Sequence, residues 1–234
     1  MSLKNWDNKT WLSSKKYIYF FNNFLLKHTK INRNSKILDI GCGRAKIIGS
    51  LSSKLKLKNK PIGIDVEKFK DIDRRINFKK IDAIEYCKRS EKFDLILIKQ
   101  SIHLIRFSNI QRLLKLCKKN LNLNGRILIF SLDVNNNEIP TFKLMKKKLD
   151  ESLKRDEKIL ALISRLFPRQ ITKKFKFRVK INKKAYLKMI KNRYMSILLS
   201  FKSKDIINGI NEIDNKFDKV LKFNDKLICL IINR

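Results

Sequence analysis

A segment with two closely spaced glycines constrains the fold more than any other part of the sequence. Residues 37–40 read Ile-Leu-Asp-Ile, which suits a buried strand, and Gly41-Cys42-Gly43 follows directly. A strand that runs into such a pair and then into a helix makes a sharp turn, where the missing Cβ atoms let a ligand approach the backbone. The amides of the helix N-terminus then face outward at the carboxyl end of the strand. The segment therefore predicts a nucleotide-sized crevice at one edge of a sheet.

Short apolar runs alternate with helical periodicity around this segment. We predict strands over 36–40, 61–65, 76–81, 93–98 and 126–132, with helices over 44–55 and 110–119, the second ending at the Asn124-Gly125 turn. Strands that are buried on both faces read as continuous apolar runs of this kind. The pattern is typical of a doubly wound α/β domain with a parallel sheet.

The second half of the chain has a different pattern. It predicts a long amphipathic helix over 144–167, a half-exposed strand over 175–181, helical stretches over 185–199 and 204–217, and a closing strand over 226–232. Residues 1–30 are rich in aromatic side chains and predict a leading helical segment. No linker rich in Pro, Gly or Ser divides the chain, so we expect one domain.

Acidic residues end the second and third predicted strands. Asp65 lies 24 residues after Gly41, where a carboxylate can accept hydrogen bonds from both hydroxyls of a ribose. Asp82, followed by Ala83, can accept from an adenine amino group. Together with the glycine turn, these carboxylates predict an adenosine site.

These segments resemble the motifs of class I S-adenosylmethionine-dependent methyltransferases, of the small-molecule type. Residues 37–45 are similar to the first motif, (V/I)LD(I/L)GCGxG, except that Ala45 stands at its last glycine. Phe93-Asp94-Leu95-Ile96 with Ser101-Ile102-His103-Leu104 resembles the fourth motif, and residues 123–129 resemble the fifth. The resemblance covers about residues 36–132. A nicotinamide dinucleotide is less favoured because Lys46 stands where GxGxxG needs its third glycine.

The resemblance implies a Rossmann-like, seven-stranded sheet that is mostly parallel, with the last strand antiparallel, an N-terminal helical segment and a helical insertion before the last strand. It implies S-adenosylmethionine (SAM) as cofactor and S-adenosylhomocysteine (SAH) as product. The cofactor-binding residues it implies are Asp39, Gly41, Cys42 and Gly43 beside the methionine portion, Asp65 and Val66 at the ribose, Asp82 and Ala83 at the adenine, and Lys99 and Gln100 near the sulfonium.

Four segments with separate roles follow from this frame. We expect a helical lid over 1–35, a SAM-binding core over 36–133, a substrate-selectivity region over 138–217 and a closing strand over 218–234.

His103 is the candidate catalytic residue, because an imidazole can accept a proton from a hydroxyl or thiol near neutral pH. The alternative is a structural histidine at a helix start. The candidate substrate-binding residues are Arg106, Tyr194, Tyr17 and Trp11; solvation of Arg106 and core packing of the aromatic residues are the alternatives.

The composition leaves the partner open. The formal net charge is +35 at pH 7, which favours polyanions, but the basic residues are scattered as compositional bias would scatter them. The four cysteines form no CxxC pair, and with two histidines we expect no metal site. We see neither a secretory signal nor a membrane span and expect a cytoplasmic protein.

Three functions follow from these observations. The first is methyl transfer to an oxygen or sulfur of a small molecule, ahead of nitrogen, since the (N/D)PP(Y/F) signature of amino-group methyltransferases is absent. The second is an RNA methyltransferase, suggested by the charge, with residues 143–158 and 175–180 as the candidate surface. The third is an inactive SAM-binding partner subunit, which Ala45 keeps open.

Overall fold

Seven strands form one sheet in the order β3-β2-β1-β4-β5-β7-β6 in the computed structural model, which describes residues 10–234. The strands are β1 Ile37–Ile40, β2 Ile62–Asp65, β3 Asn77–Lys80, β4 Phe93–Lys99, β5 Leu121–Leu132, β6 Ile171–Asn182 and β7 Val220–Asn233. β7 runs antiparallel to both of its neighbours, and the other pairs are parallel. The predicted doubly wound fold with an antiparallel last strand is confirmed.

Helices cover both faces of this sheet. They are α1 Lys15–His28, α2 Lys46–Leu55, α3 Ala83–Cys87, α4 Phe107–Lys119, α5 Lys143–Leu166, α6 Lys183–Lys191 and α7 Ser203–Lys216. Side chains of α1, α2, α6 and α7 pack on one face, and those of α3 and α4 pack on the other. The long α5 contributes to both faces, with Met145 and Leu149 on the first and Ile159 and Ile163 on the second. Successive strand residues point to opposite faces, so the central strands must be apolar at nearly every position.

Several boundaries differ from the sequence prediction. The predicted turn at Asn124-Gly125 lies inside β5, opposite a register shift between Phe93 and Leu95 on β4. The prediction of one helix over 185–199 is wrong in its second half. α6 ends at Lys191 because Arg193 has a left-handed backbone with φ of 54°, and a separate 3-10 turn covers Ser196–Ser200.

β6 and β7 are longer than predicted and pair over twelve residues, from Ile171 opposite Ile231 to Asn182 opposite Val220. β5 ends opposite Leu227, so residues 220–226 of β7 pair with β6 alone. This two-stranded extension projects beyond the carboxyl end of β5. β6 therefore belongs to the sheet, although it lies within the 138–217 region.

The N-terminal segment packs against the β5–β6 end of the sheet. A 3-10 turn at Trp11–Ser13 leads into α1, whose start is capped by the Ser14 hydroxyl, which accepts from the Tyr17 amide at 3.2 Å. The Phe21 ring lies 4.7 Å from that of Phe130 on β5. Residues 1–9 of the predicted lid lie outside the described residues. None of the helices within 10–234 has both the length and the apolar character needed to cross a membrane.

Candidate functional site

A cavity of about 450 Å³ opens at the carboxyl ends of β1, β2 and β4. Its wall includes Gly41, Asp65 and Asp82, the three strand-end groups that the sequence analysis singled out. Its lining is mostly apolar, which is usual for a small-molecule site with a few placed polar groups. The structure therefore brings the glycine turn and both acidic strand ends to one crevice.

The glycine turn is held by the neighbouring strand ends. The amides of Gly41 and Cys42 both donate to the Ile64 carbonyl, at 2.9 and 3.1 Å. The Ser101 hydroxyl donates to the Ile40 carbonyl at 2.8 Å and fills the space beside Gly41. A Cβ at position 41 would lie 2.4 Å from the Ser101 Cβ, and Gly41 has a φ of 68°. Only glycine fits this position without displacing β1 or β4.

Asp65 has a structural role that the sequence did not reveal. Its Oδ2 accepts from the Gly43 amide at 2.9 Å, and its Oδ1 accepts from the Glu67 amide at 3.0 Å. A carboxylate offers about four acceptor positions, so two bonds leave capacity for a ligand's hydroxyls. Asp65 therefore fixes the glycine turn and still presents acceptors to the cavity.

Asp82 similarly combines two tasks. It is the N-cap of α3, accepting from the amides of Ile84 at 2.8 Å and Glu85 at 3.3 Å, while it lines the cavity with Ala83. Val66, predicted beside the ribose, lines the same cavity and is 60% exposed.

Phe69 is a cavity residue that sequence reasoning missed. It lies in the connection between β2 and β3, where no periodicity marks it. The Arg44 guanidinium packs over the Phe69 ring at 4.7 Å, and its Nε donates to Asp71 at 2.7 Å. This stack holds the connection against the cavity. Asn109 and Ser196 also line the wall, and neither was among the predicted site residues.

Asp39 and Lys99 face a second, small cavity of about 40 Å³, which shares Gly41 and Gly43 with the first. Burial raises the pKa of Asp39 to about 7; the Asp65 charge adds to this, and the Lys99 ammonium opposes it. Lys99 Nζ donates to Gln100 Oε1 at 2.8 Å. Gln100 has a left-handed backbone, with φ of 52°, directly after β4 and lines the large cavity. Cys42 lines only the small one.

His103 and Arg106 both line the large cavity. Burial, together with the charge of Arg155, lowers the pKa of His103 to about 4, so its imidazole is neutral near pH 7. Arg106 is exposed at the rim. The assignment of His103 as a base stays a prediction.

Trp11, Tyr17 and Tyr194 line neither of these two cavities. All three are buried, at 7%, 0% and 2% exposure. Trp11 Nε1 donates to Asp225 Oδ2 at 3.1 Å, and the Tyr186 and Tyr194 hydroxyls lie 3.2 Å apart. With Tyr186, these side chains form an aromatic layer between the N-terminal segment and the β6–β7 extension. Their predicted contact with substrate stays a prediction.

Solved structures match this architecture over almost the whole chain. The plantazolicin methyltransferase BpumL, solved with SAH, is 18% identical, with a TM-score of 0.54 over 98% of this chain and 88% of that one. A SAM-dependent methyltransferase from Archaeoglobus fulgidus is 21% identical, with a TM-score of 0.53, and covers 93% of this chain and 94% of its own. A putative methyltransferase of an antibiotic biosynthesis pathway from Anabaena variabilis reaches a TM-score of 0.67 at 11% identity, over 89% and 95%.

The chain has the class I methyltransferase fold. No protein-family model matches the sequence, and neither does any curated protein.

Ala45 is where the first methyltransferase motif departs from its pattern. The residue has a φ of 54° and a ψ of 23° at the N-cap of α2, where its side chain makes no capping hydrogen bond. A left-handed backbone costs a residue with a Cβ about 1–2 kcal/mol, which glycine avoids. Ala45 is 3% exposed, so its methyl group is packed rather than directed into solvent. The substitution therefore strains the turn without filling the large cavity.

Among residues 10–234, no group of three or more His, Cys, Asp and Glu side chains is placed to hold a metal ion.

Proposed function

We propose that the protein is a SAM-dependent methyltransferase that transfers a methyl group in line to an oxygen or sulfur of a small-molecule acceptor. The observation that carries this proposal is the convergence of Gly41, Asp65 and Asp82 on one cavity in a methyltransferase fold. Each of these positions offers the group that one part of an adenosyl ligand needs.

The residues present fit the cofactor. The large cavity offers the Phe69 ring and Asp82 for an adenine, and spare acceptors on Asp65 for a ribose. The absence of a side chain at Gly41 allows close approach to the backbone. The small cavity beyond the glycine turn offers the Asp39 carboxylate for an ammonium group.

The bound cofactor supplies a methyl group that is already activated by its positive sulfur. The chain's own residues therefore need to align the acceptor and exclude water. Lys99 and Gln100 lie where the large and small cavities meet at the end of β4. A neutral His103 can accept the proton that an acceptor hydroxyl or thiol loses.

Burial of the aromatic layer supports a small acceptor. Trp11, Tyr17 and Tyr194 are buried by packing rather than open to a large ligand, and the Lys99 ammonium lies 5.4 Å from the centroid of the Tyr17 ring. Arg106 at the rim would pair with an anionic group of the acceptor. We propose a cytoplasmic location, which four cysteines without a disulfide support.

A thermal-unfolding series tests cofactor binding first. SAH at a hundred times its dissociation constant should add about 2.7 kcal/mol to the free energy of unfolding, whereas NAD should add nothing. Radiolabelled methyl transfer from SAM to panels of hydroxyl and thiol compounds then tests the reaction. Stabilisation by NAD alone would overturn the proposal. Stabilisation by SAH without transfer to any acceptor class would instead favour an inactive SAM-binding subunit.

RNA is the second candidate acceptor, and one observation favours it. The outer face of β6 presents a row of exposed basic side chains where the strand extends beyond the carboxyl end of β5, and the cavity also opens at the carboxyl ends of its strands.

A further inference from the structure

The two-stranded extension of β6 and β7 has two unlike faces. Its inner face buries Phe177, Val179 and Phe223 in the core. Its outer face exposes basic side chains: Lys176, Arg178, Lys180 and Lys222. We call these four residues the basic row. Residues two apart on a strand lie about 6.8 Å apart on one face, so the three on β6 span about 14 Å.

The basic row lacks acidic partners. Within the described part of the chain, none of its four members forms an ion pair, whereas Lys226 next to it is paired with Glu138 and Lys174 with Asp133. Lys180 lies directly opposite Lys222 in the sheet register. Like charges in that position destabilise a strand pair. An anionic ligand would relieve this repulsion.

An exposed aromatic ring adjoins the row. Phe20 is 48% exposed, although Phe21 beside it is fully buried, and its ring packs edge-on against Phe177 at 5.8 Å. Phe20 lines one open groove of about 560 Å³ together with Lys176, Arg178 and Lys222. Proteins that bind single-stranded nucleic acid usually combine cationic side chains along the phosphate backbone with an aromatic ring on which a base stacks.

We propose that this groove binds a single-stranded nucleic acid, with the basic row on its phosphates and Phe20 stacked on a base. The exposed ring favours this ligand over an acidic peptide or an anionic membrane, because every base offers a π-face for stacking. Glu138, which also lines the groove, is occupied by Lys226 and Asn224. The inference does not depend on the methyl acceptor, because its test measures binding alone.

Charge-removal variants separate this groove from the general basicity of the protein. The groove variant is Lys176→Gln/Arg178→Gln/Lys222→Gln. Its matched control is Arg112→Gln/Lys115→Gln/Lys119→Gln, which removes equal charge from the exposed face of α4, outside both candidate RNA surfaces. Fluorescence anisotropy with labelled RNA and DNA single strands of about 12 nucleotides measures affinity against salt. The relative affinity for RNA and DNA identifies the source of the ligand.

The groove variant should lower the slope of log K against log salt by about 2, since each lost phosphate contact removes about 0.7. The control should lower it far less. Thermal unfolding of the groove variant should be unchanged or shifted upward, because the repulsion between Lys180 and Lys222 is removed. Equal loss in both variants would overturn the proposal, because it would mean diffuse attraction only.

Phe20→Leu provides the second arm. It should weaken single-strand binding at least fivefold with an unchanged salt slope, because stacking releases no counterions. Tyr19→Leu, at the neighbouring exposed ring outside the groove, is the matched control and should have little effect. Equal effects of both ring variants, or an effect of Phe20→Leu only on anionic phosphatidylserine vesicles, would overturn the nucleic-acid assignment.

Discussion

Asp39 should couple cofactor binding to proton release. Its carboxyl has a pKa of about 7, chiefly because of burial, and so is about half protonated at neutral pH. An ammonium within about 4–6 Å lowers the pKa of a carboxyl by 1–3 units. If the α-ammonium of SAH binds beside Asp39, the pKa in the complex falls to about 5.

The magnitude follows from those two pKa values. The protein should release about 0.8 proton on binding at about pH 6 and about 0.5 at about pH 7. Affinity for SAH should rise about eightfold between about pH 6 and about pH 7.5, because ligand binding then no longer competes with protonation of Asp39. Affinity rises with pH because Asp39 must be ionised to bind the ammonium, and its raised pKa in the unbound protein means that it becomes fully ionised only above neutral pH.

Titration calorimetry measures this release directly. Binding heats for SAH in phosphate and in Tris differ by the number of protons released times the difference in buffer ionisation enthalpy. Asp39→Asn, which keeps the size but cannot ionise, should bind more weakly and show no buffer dependence. Asp156, whose pKa burial raises to about 6, lies outside the cavities, so Asp156→Asn should retain the release. Equal heats in both buffers for the unmodified protein would refute the reasoning.

Further substitutions test separate parts of the site. Gly41→Ala should abolish SAH binding and lower the unfolding free energy by at least about 2 kcal/mol, measured by calorimetry and urea denaturation, because its Cβ would overlap Ser101. Unchanged binding would mean that the turn does not contact the ligand. His103→Gln should lower turnover with little change in SAH affinity; equal turnover would make the histidine structural. The same variant should also lose less stability in acid. The His103 imidazole has a pKa of about 4 in the folded protein, so below about pH 6.5 the unfolded chain binds a proton that the folded protein does not. That difference lowers the free energy of unfolding of the unmodified protein by up to about 3 kcal/mol, and the Gln variant lacks it.

The centre of the fold could be predicted because its sequence pattern has few competing explanations. β1 and β4 are buried on both faces, so their apolar runs marked them within a residue or two. The edges were harder. β7 was predicted to begin at residue 226, because alternating basic residues hide the strand that extends back to Val220. Asp225 was missed for this reason, although it is 1% exposed and accepts a hydrogen bond from the Trp11 indole.

The site was predictable where a group stands at a strand end. Gly41, Asp65 and Asp82 fall there, and the carboxyl ends of parallel strands meet at one edge. Phe69 lies in a loop whose position depends on a stack with Arg44, which no local pattern encodes. Aromatic content alone could not show that Trp11 and Tyr17 pack in a buried layer outside the two cavities, because core packing and ligand contact use the same residue types.

The central claim is that one adenosyl ligand spans the glycine turn and the two acidic strand ends. Calorimetric titration of SAH into the unmodified protein, Asp65→Asn and Asp133→Asn tests it most directly. Asp133 is a suitable control because it also follows a strand and accepts backbone amides, at 3.1 and 3.2 Å, but lies outside the cavity. We expect micromolar affinity for the unmodified protein and Asp133→Asn, and at least tenfold weaker binding for Asp65→Asn. Equal affinity in all three proteins, or no binding to any, would contradict the claim.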